Sequence, residues 1–436
     1  FPLAQALSSA EWRNGYYAYW DYDKDHVKRF TEFENEVLKR FEQYQVPAIV
    51  LTKETPKEAV CQVFEKVNTG GVSLTVFELL TATYAVDNFR LRDDWKERDK
   101  KLKEEPVLRS LESTDFIQAI TLLATRARRA EAKAAGEDPE RLPAISARRR
   151  DMLRLKLADF QRYADQTQQA FVNAARLLHS QKVFTARDLP YKTQLVPLAA
   201  ILVALGSKAE NEGVRQKLIR WFWCGALGEL YAGATETRFA RDLAEVVDWV
   251  NGGPEPTTVR EGLFNRTRLY TLRTRNSAAY KGLYALLMRD GARDLRTGEG
   301  IELAGYFDEA IDIHHLFPQA WCSAHGVDPG CCNSIVNKTP ISAKTNRMIG
   351  GNAPSDYLSR LQKSAEVTSD VMDDILRSHL ADPALMRADD FDGFYAAREA
   401  AILERIEAAM GKPVIGGSAE EAADAAAVDD DEEDDA

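Results

Sequence analysis

Between Lys96 and about Gly252, apolar residues recur at intervals of three and four, as in Leu153, Leu157, Phe160 and Tyr163, and again in Phe171, Ala175 and Leu178. That spacing places them on one stripe of a 3.6-residue helix and predicts an α-helical bundle. Gly136, Pro139 and Pro143 predict a loop over Ala134–Ala144, and the run Asn251-Gly252-Gly253-Pro254-Glu255-Pro256 predicts a linker closing the bundle. Upstream, Val46–Leu51 has strand composition. Val60, Val63, Phe64 and Val67 then fall at helical spacing, and Asn68-Thr69-Gly70-Gly71 supplies a stop. Ser73 and Thr75 offer caps for a following helix that holds Phe77, Leu80 and Tyr84. The third segment, Thr257 to about Gly411, mixes a helix over Ala278–Met288, a hairpin around Thr297-Gly298-Glu299-Gly300, a histidine-rich stretch and two closing helices. The expected class is α+β and predominantly α-helical, in segments 1–95, 96–252, 257–411 and 412–436.

Composition sharpens this outline. With 436 residues, 45% hydrophobic, the chain can bury a sizeable core. The formal charge of −11 is concentrated at the end, because Ser418–Ala436 holds ten Asp or Glu and no Lys or Arg. The remainder is therefore near neutral, and the tail reads as a disordered, solubilising end. Five irregularly spaced cysteines argue against a disulfide framework and for a reducing, cytoplasmic setting. The longest apolar run, Leu195–Leu205, has 11 residues and includes Pro197, short of the ~20 that a membrane span needs. The first twenty residues lack the cationic start and apolar core of a signal peptide, and a segment is expected to be missing upstream.

Chemistry concentrates in the third segment, where Asp312-Ile313-His314-His315-Leu316-Phe317-Pro318 is followed by Asn337-Lys338 and then by Lys344-Thr345-Asn346-Arg347. A His-His pair alone is more commonly a surface or core pair than a catalytic one. Taken together, however, D-x-H-H-x-x-P, N-K and K-x-N-R resemble the HNH, or ββα-metal, nucleases. The resemblance implies that a β-hairpin carries His315 as general base and His314 as a metal ligand. It further implies that a following helix presents Asn346 as a second ligand, while Asn337 fixes the loop and orients His315. Asp312 shares a strand face with His314 and could add a carboxylate. Phosphodiester hydrolysis needs an activated water and a cation, and imidazole with an ordinary pKa near 6.5 can take the proton. A divalent metal, Mg²⁺ or Mn²⁺, is the expected cofactor. His314 stands where many such domains have Asp or Glu, which leaves room for softer ions. Cys322, Cys331, Cys332 and His325 have poor spacing for zinc and read as ordinary thiols.

At the other end, Val63–Leu74 with Glu78 resembles the close of a ParB/sulfiredoxin-like domain. The pairing of that domain with a C-terminal HNH domain is similar to GmrSD-type, BrxU- and SspE-like, phage-defence proteins. In that family a nucleoside triphosphate is handled through an Asp-Gly-Gln-Gln-Arg motif, which does not occur in this chain. NTPase activity is therefore not assigned, although Asn68, Thr69, Gly70 and Gly71 form a turn able to face phosphate. The resemblance implies metal-dependent cleavage of DNA, phage or modified, with an upstream segment or partner chain supplying the nucleotide-handling half and a homo-oligomer left open. Two alternatives stand beside it: a DNA-binding regulatory subunit, and a nuclease acting on RNA.

Two basic stretches suit a nucleic-acid surface. Arg126–Lys156 has ten Lys or Arg against five acids, and Arg260–Arg296 has nine against three. Arg266, Arg268, Arg273, Arg275 and Lys281, with Lys338 and Arg347 beside the motif, are the expected phosphate contacts. Trp221-Phe222-Trp223 reads as core rather than a stacking platform.

Overall fold

The computed structural model describes residues 1–45, 48, 50, 63, 75–233, 235–273, 277–301, 306 and 311–416, with the side chain of Asp312 left aside. Most of Val46–Leu51, the Asn68–Gly71 turn, Arg275 and the acidic tail from 417 onward lie outside the described residues. The chain divides into two units, 1–73 and 74–436. In the first, helices α1 (Ala10–Tyr19), α2 (Lys24–Phe33) and α3 (Lys39–Gln43) gather Trp12, Tyr16 and Tyr17 around buried Phe30.

The second unit begins with α4 (Val76–Ala85), and its start explains itself. Thr75 Oγ1 accepts from the Glu78 amide while the Glu78 carboxylate accepts from the Thr75 amide, a reciprocal cap. The bundle continues through α5 (Leu91–Leu102), α6 (Ser113–Ala134), α7 (Arg149–Leu153), α8 (Leu157–Ser180), α9 (Leu195–Leu205), α10 (Glu212–Leu227) and α11 (Glu236–Val250). Helix α9 is apolar all round because α6, α8 and α11 enclose it. Pro197 is tolerated there because it stands in the first turn, where a backbone N–H has no intrahelical acceptor. Trp221 and Trp223 are fully buried in the bundle, and Trp223 Nε1 donates to Gln181 Oε1 at 3.0 Å. No helix among the described residues is long and apolar enough to cross a membrane.

Residues 251–256 form a turn, and one hydrophobic core runs on both sides of it, from Val76 to Met410. Helices α12 (Thr257–Glu261), α13 (Arg268–Thr271) and α14 (Ala278–Arg289) follow. A two-stranded antiparallel sheet comes next, made of β1 (Ile311–His315) and β2 (Lys338–Ser342). Between the strands lie the short helices α15 (Gln319–Ala324) and α16 (Pro329–Asn333), and directly after β2 comes α17 (Ala343–Ile349). Helices α18 (Pro354–Ala365), α19 (Ser369–Ser378), α20 (Pro383–Arg387) and α21 (Phe391–Met410) close the unit, with α21 packed on both α10 and α14. The described residues are thus mostly helical with one small sheet. Lys412–Gly416, expected in the loose tail, is ordered: the Ile415 amide donates to the Phe264 carbonyl at 2.9 Å, and Lys412 Nζ donates to the Val259 carbonyl.

Candidate functional site

The strands pair with His314 opposite Thr339 and His315 opposite Lys338, and α17 packs across both of them. His314, His315, Asn337 and Asn346 are thereby carried on one two-strand-and-helix element, in the order expected. His314, His315 and Asn346 are half-buried, whereas Asn337 is fully buried.

Asn337 holds the loop more completely than its motif position reveals. Its Oδ1 accepts from the Phe317 amide at 2.9 Å, and its Nδ2 donates to the carbonyls of Phe317 and Cys332, both at 2.9 Å. Its own carbonyl accepts from the Leu316 amide at 2.8 Å. Two of the three side-chain bonds therefore meet Phe317, two residues beyond His315, and the third ties the Cys332 carbonyl to the same point. The hydrogen bond that orients His315 itself comes from a different residue. His315 Nε2 faces Asn333 Oδ1 at 3.2 Å, and the same oxygen accepts from Gln319 Nε2 at 2.7 Å. Because an amide oxygen can only accept, Nε2 carries the proton and Nδ1 keeps the lone pair. Burial, reinforced by the ammonium of Lys338, pushes the His315 pKa down to about 4, with the Asn333 bond opposing the shift.

Three buried groups support the hairpin from behind. Arg398 on α21 donates through Nη1 to the carbonyls of Val336 and Lys338, which flank Asn337, and through Nε to the His379 carbonyl at 3.0 Å. Asp294 accepts from the Ser342 amide at 2.8 Å and from Thr345 Oγ1, so one carboxylate clasps the corner where β2 becomes α17. Its Oδ1 also accepts from the amides of Arg296 and Thr297, and the hairpin expected around Thr297–Gly300 is, among the described residues, a turn closed by a single Arg293–Gly300 bridge, because this carboxylate ties the chain back on itself within three residues. His379 Nε2 meets the Arg293 carbonyl at 2.5 Å and must donate, so Nδ1 accepts from Thr339 Oγ1 at 2.7 Å.

His379 makes the unit acid-sensitive. It is fully buried, and burial first, with Arg398 and Arg293 adding repulsion, pushes its pKa down to about 4 although Asp294 and the Arg293 bond act the other way. The folded protein then binds fewer protons than the unfolded chain below pH 6.5, and stability falls as pH drops. This group alone is expected to remove about 3 kcal/mol between pH 7 and pH 4. Asp294, whose amide and hydroxyl donors hold its carboxyl below the usual range, adds loss in the same direction below about pH 4. Urea unfolding at a series of pH values checks this, and His379→Gln should flatten the dependence between pH 6.5 and 4.

The expected phosphate-binding cations are mostly occupied within the fold. Arg266 forms a bidentate pair with Glu399, both contacts at 2.9 Å, and Arg268 Nη2 meets Glu229 at 3.1 Å. Lys281 Nζ donates to the Leu189 carbonyl at 3.3 Å. Lys338 is buried, donates to the Arg273 carbonyl at 2.7 Å, and has its pKa pushed down to about 8 by burial. Arg273 itself packs beside Gly330. Arg347, on α17, is exposed together with Lys344. Of the second cluster, Cys322 and Cys332 are buried, while His325 turns to stack on Trp321 at 4.0 Å. No group of three or more His, Cys, Asp or Glu side chains converges to hold a metal among the described residues. His314 on β1 and Asn346 on α17 are the motif side chains that could hold a divalent cation.

No family model matches the chain. It is similar to the uncharacterized protein MJ0686 of Methanocaldococcus jannaschii, at 24% identity over 448 residues, covering 93% of this chain and 70% of that protein. The likeness therefore reaches beyond any one segment described above.

Proposed function

We propose that residues 257–411 form a metal-dependent HNH-type endonuclease, and that the chain nicks or cleaves DNA in modification-dependent, GmrSD-like defence against phage in the bacterial cytoplasm. The observation that carries this reading is the order β1, loop, β2, α17, with His315 ending β1, buried Asn337 preceding β2, and Asn346 on the helix that packs across both strands.

In this reading His315 Nδ1 takes the proton from the attacking water, since Asn333 engages the other ring nitrogen. Asn337 and Asn333 hold that imidazole in place, one through the backbone and one directly. His314 and Asn346, with Asp312 as a further candidate, would hold a divalent cation, whose charge would offset the negative charge developing on the phosphate. Arg347 and Lys344 supply exposed positive charge on the helix bearing Asn346, where a DNA backbone would pass. An upstream segment or partner chain supplies any nucleotide-dependent control.

The test is conversion of supercoiled plasmid to open-circle or linear form. With Mg²⁺ or Mn²⁺, conversion is expected, and excess EDTA should lower its rate by at least about a hundredfold. A matched RNA substrate should be cut more slowly. Folded protein that binds DNA yet cuts nothing in either metal would sink the nuclease reading in favour of a regulatory DNA-binding subunit.

A further inference from the structure

A cleft of about 310 Å³ opens in the bundle between the C-terminal half of α6, the loop that precedes α7, and the first turn of α11. Arg128, Arg148 and Arg150 line it, against two carboxylates, Asp151 and Glu236. The carboxylates do not engage Arg128. Asp151 accepts from Ser146 Oγ at 2.6 Å and lies 3.8 Å from Arg150 Nε. By contrast, Nε and Nη2 of Arg128 are shut off from solvent and have no hydrogen-bond partner among the described residues. A guanidinium kept in that state costs stability, because its donors have left water without gaining acceptors. With Nε and Nη2 closed off, Nη1 is the nitrogen of Arg128 left to meet a ligand in the cleft, as a charged donor.

The walls of the cleft are set by the fold. The Ser146 amide donates to Thr125 Oγ1 at 3.2 Å, and Arg129 Nη1 donates to the carbonyls of Leu142 and Pro143 at 3.3 and 3.0 Å. These bonds pin the loop to α6. Arg148 Nη2 is held by Thr237 Oγ1 at 3.4 Å, which brings a second guanidinium to the same opening. Pro143, Ile145 and Ala240 contribute apolar surface. The volume is at the lower end of small-molecule sites and leaves room for an organic group beside a phosphate.

We propose that this cleft binds the phosphate of a nucleotide-sized phosphate ester, with Arg128 and Arg148 on the phosphate and the Pro143–Ile145 wall against the organic part. The site shares no residue with the hairpin and stands whether or not the hairpin is a nuclease. A nucleic-acid backbone offers the same phosphate chemistry, so the experiment separates the two sources.

Calorimetric titration of the full chain with AMP, GMP, glucose 6-phosphate, inorganic phosphate and a single-stranded oligonucleotide is the test. At least one of the three esters should bind with a Kd below about 1 mM. Arg128→Gln and Arg148→Gln should each weaken it by about tenfold or more. Arg176→Gln, in a different cleft on α8, should not. Without ligand, Arg128→Gln should melt no lower than the parent, because it removes unpartnered buried donors. If that variant does not fold, the same comparison rests on Arg148→Gln. The proposal is overturned if no ester binds below about 1 mM, if both variants bind as tightly as the parent, or if only oligonucleotide binding responds.

Discussion

Asn337→Ala is expected to lower the unfolding free energy of the 74–436 unit by about 3–4.5 kcal/mol, taking about 1–1.5 kcal/mol for each of three buried hydrogen bonds. Alanine leaves the Phe317 amide and the carbonyls of Phe317 and Cys332 in place, buried with an amide-shaped gap before them. Asn337→Asp distinguishes hydrogen bonding from volume. It keeps the acceptor for the Phe317 amide, but it turns a second oxygen toward two carbonyls that previously received donors. It is expected to be at least as destabilising near neutral pH and to recover partly in acid, where protonation restores one donor. Urea unfolding of both variants at two pH values measures this. An Asn337→Ala loss under about 1 kcal/mol would show that the loop is held by other contacts, such as the bond from Tyr357 Oη to the Leu316 carbonyl.

His315→Ala should reduce the rate of metal-dependent plasmid cleavage by about 10²–10⁴-fold, the range general-base assistance contributes. Its thermal midpoint should change little, because the ring is half-exposed and its described hydrogen bond is to a single side chain. Asn333→Ala provides the graded comparison. It leaves the imidazole present but frees its Nε2 and lets the tautomer vary, so a smaller rate loss with intact DNA binding is expected. If His315→Ala cleaves as fast as the parent while Asn346→Ala does not, the base lies elsewhere on the hairpin.

Much of the architecture was legible in local pattern. The three-and-four spacing marked the bundle helices in the main, although Leu153 ends α7 and Leu157 opens α8 across a break at 154–156, and Thr75 with Glu78 behaves as its cap position indicates. The order of strand, loop, strand and helix around His315 and Asn346 was legible through motif resemblance, because those residues are close in sequence. What escaped was long-range pairing of polar groups. Asp294 signals an Asx-type turn before Thr297-Gly298, yet its partners Ser342 and Thr345 are 48 and 51 residues away. Arg398 looks like one more charged position on an amphipathic helix, and no local feature marks it as buried against β2. Similarly, a count of arginines between 260 and 296 could not tell surface charge from charge bound internally, since the carboxylate that engages Arg266 lies 133 residues downstream. Asn333 follows two cysteines and carries no motif of its own, so its contact with His315 required the loop to be seen folded.

The clasp made by Arg398 bears on the order in which the protein can become competent. A ribosome releases the chain from its N-terminus, so both strands, both histidines and Asn346 emerge well before the residues of α21. Until Arg398 is out, the carbonyls on either side of Asn337 lack their charged donor, and the turn that seats the His315 loop is incomplete. A nascent or prematurely ended chain therefore presents the motif without its finished geometry, and assembly of the pocket coincides with completion of α21.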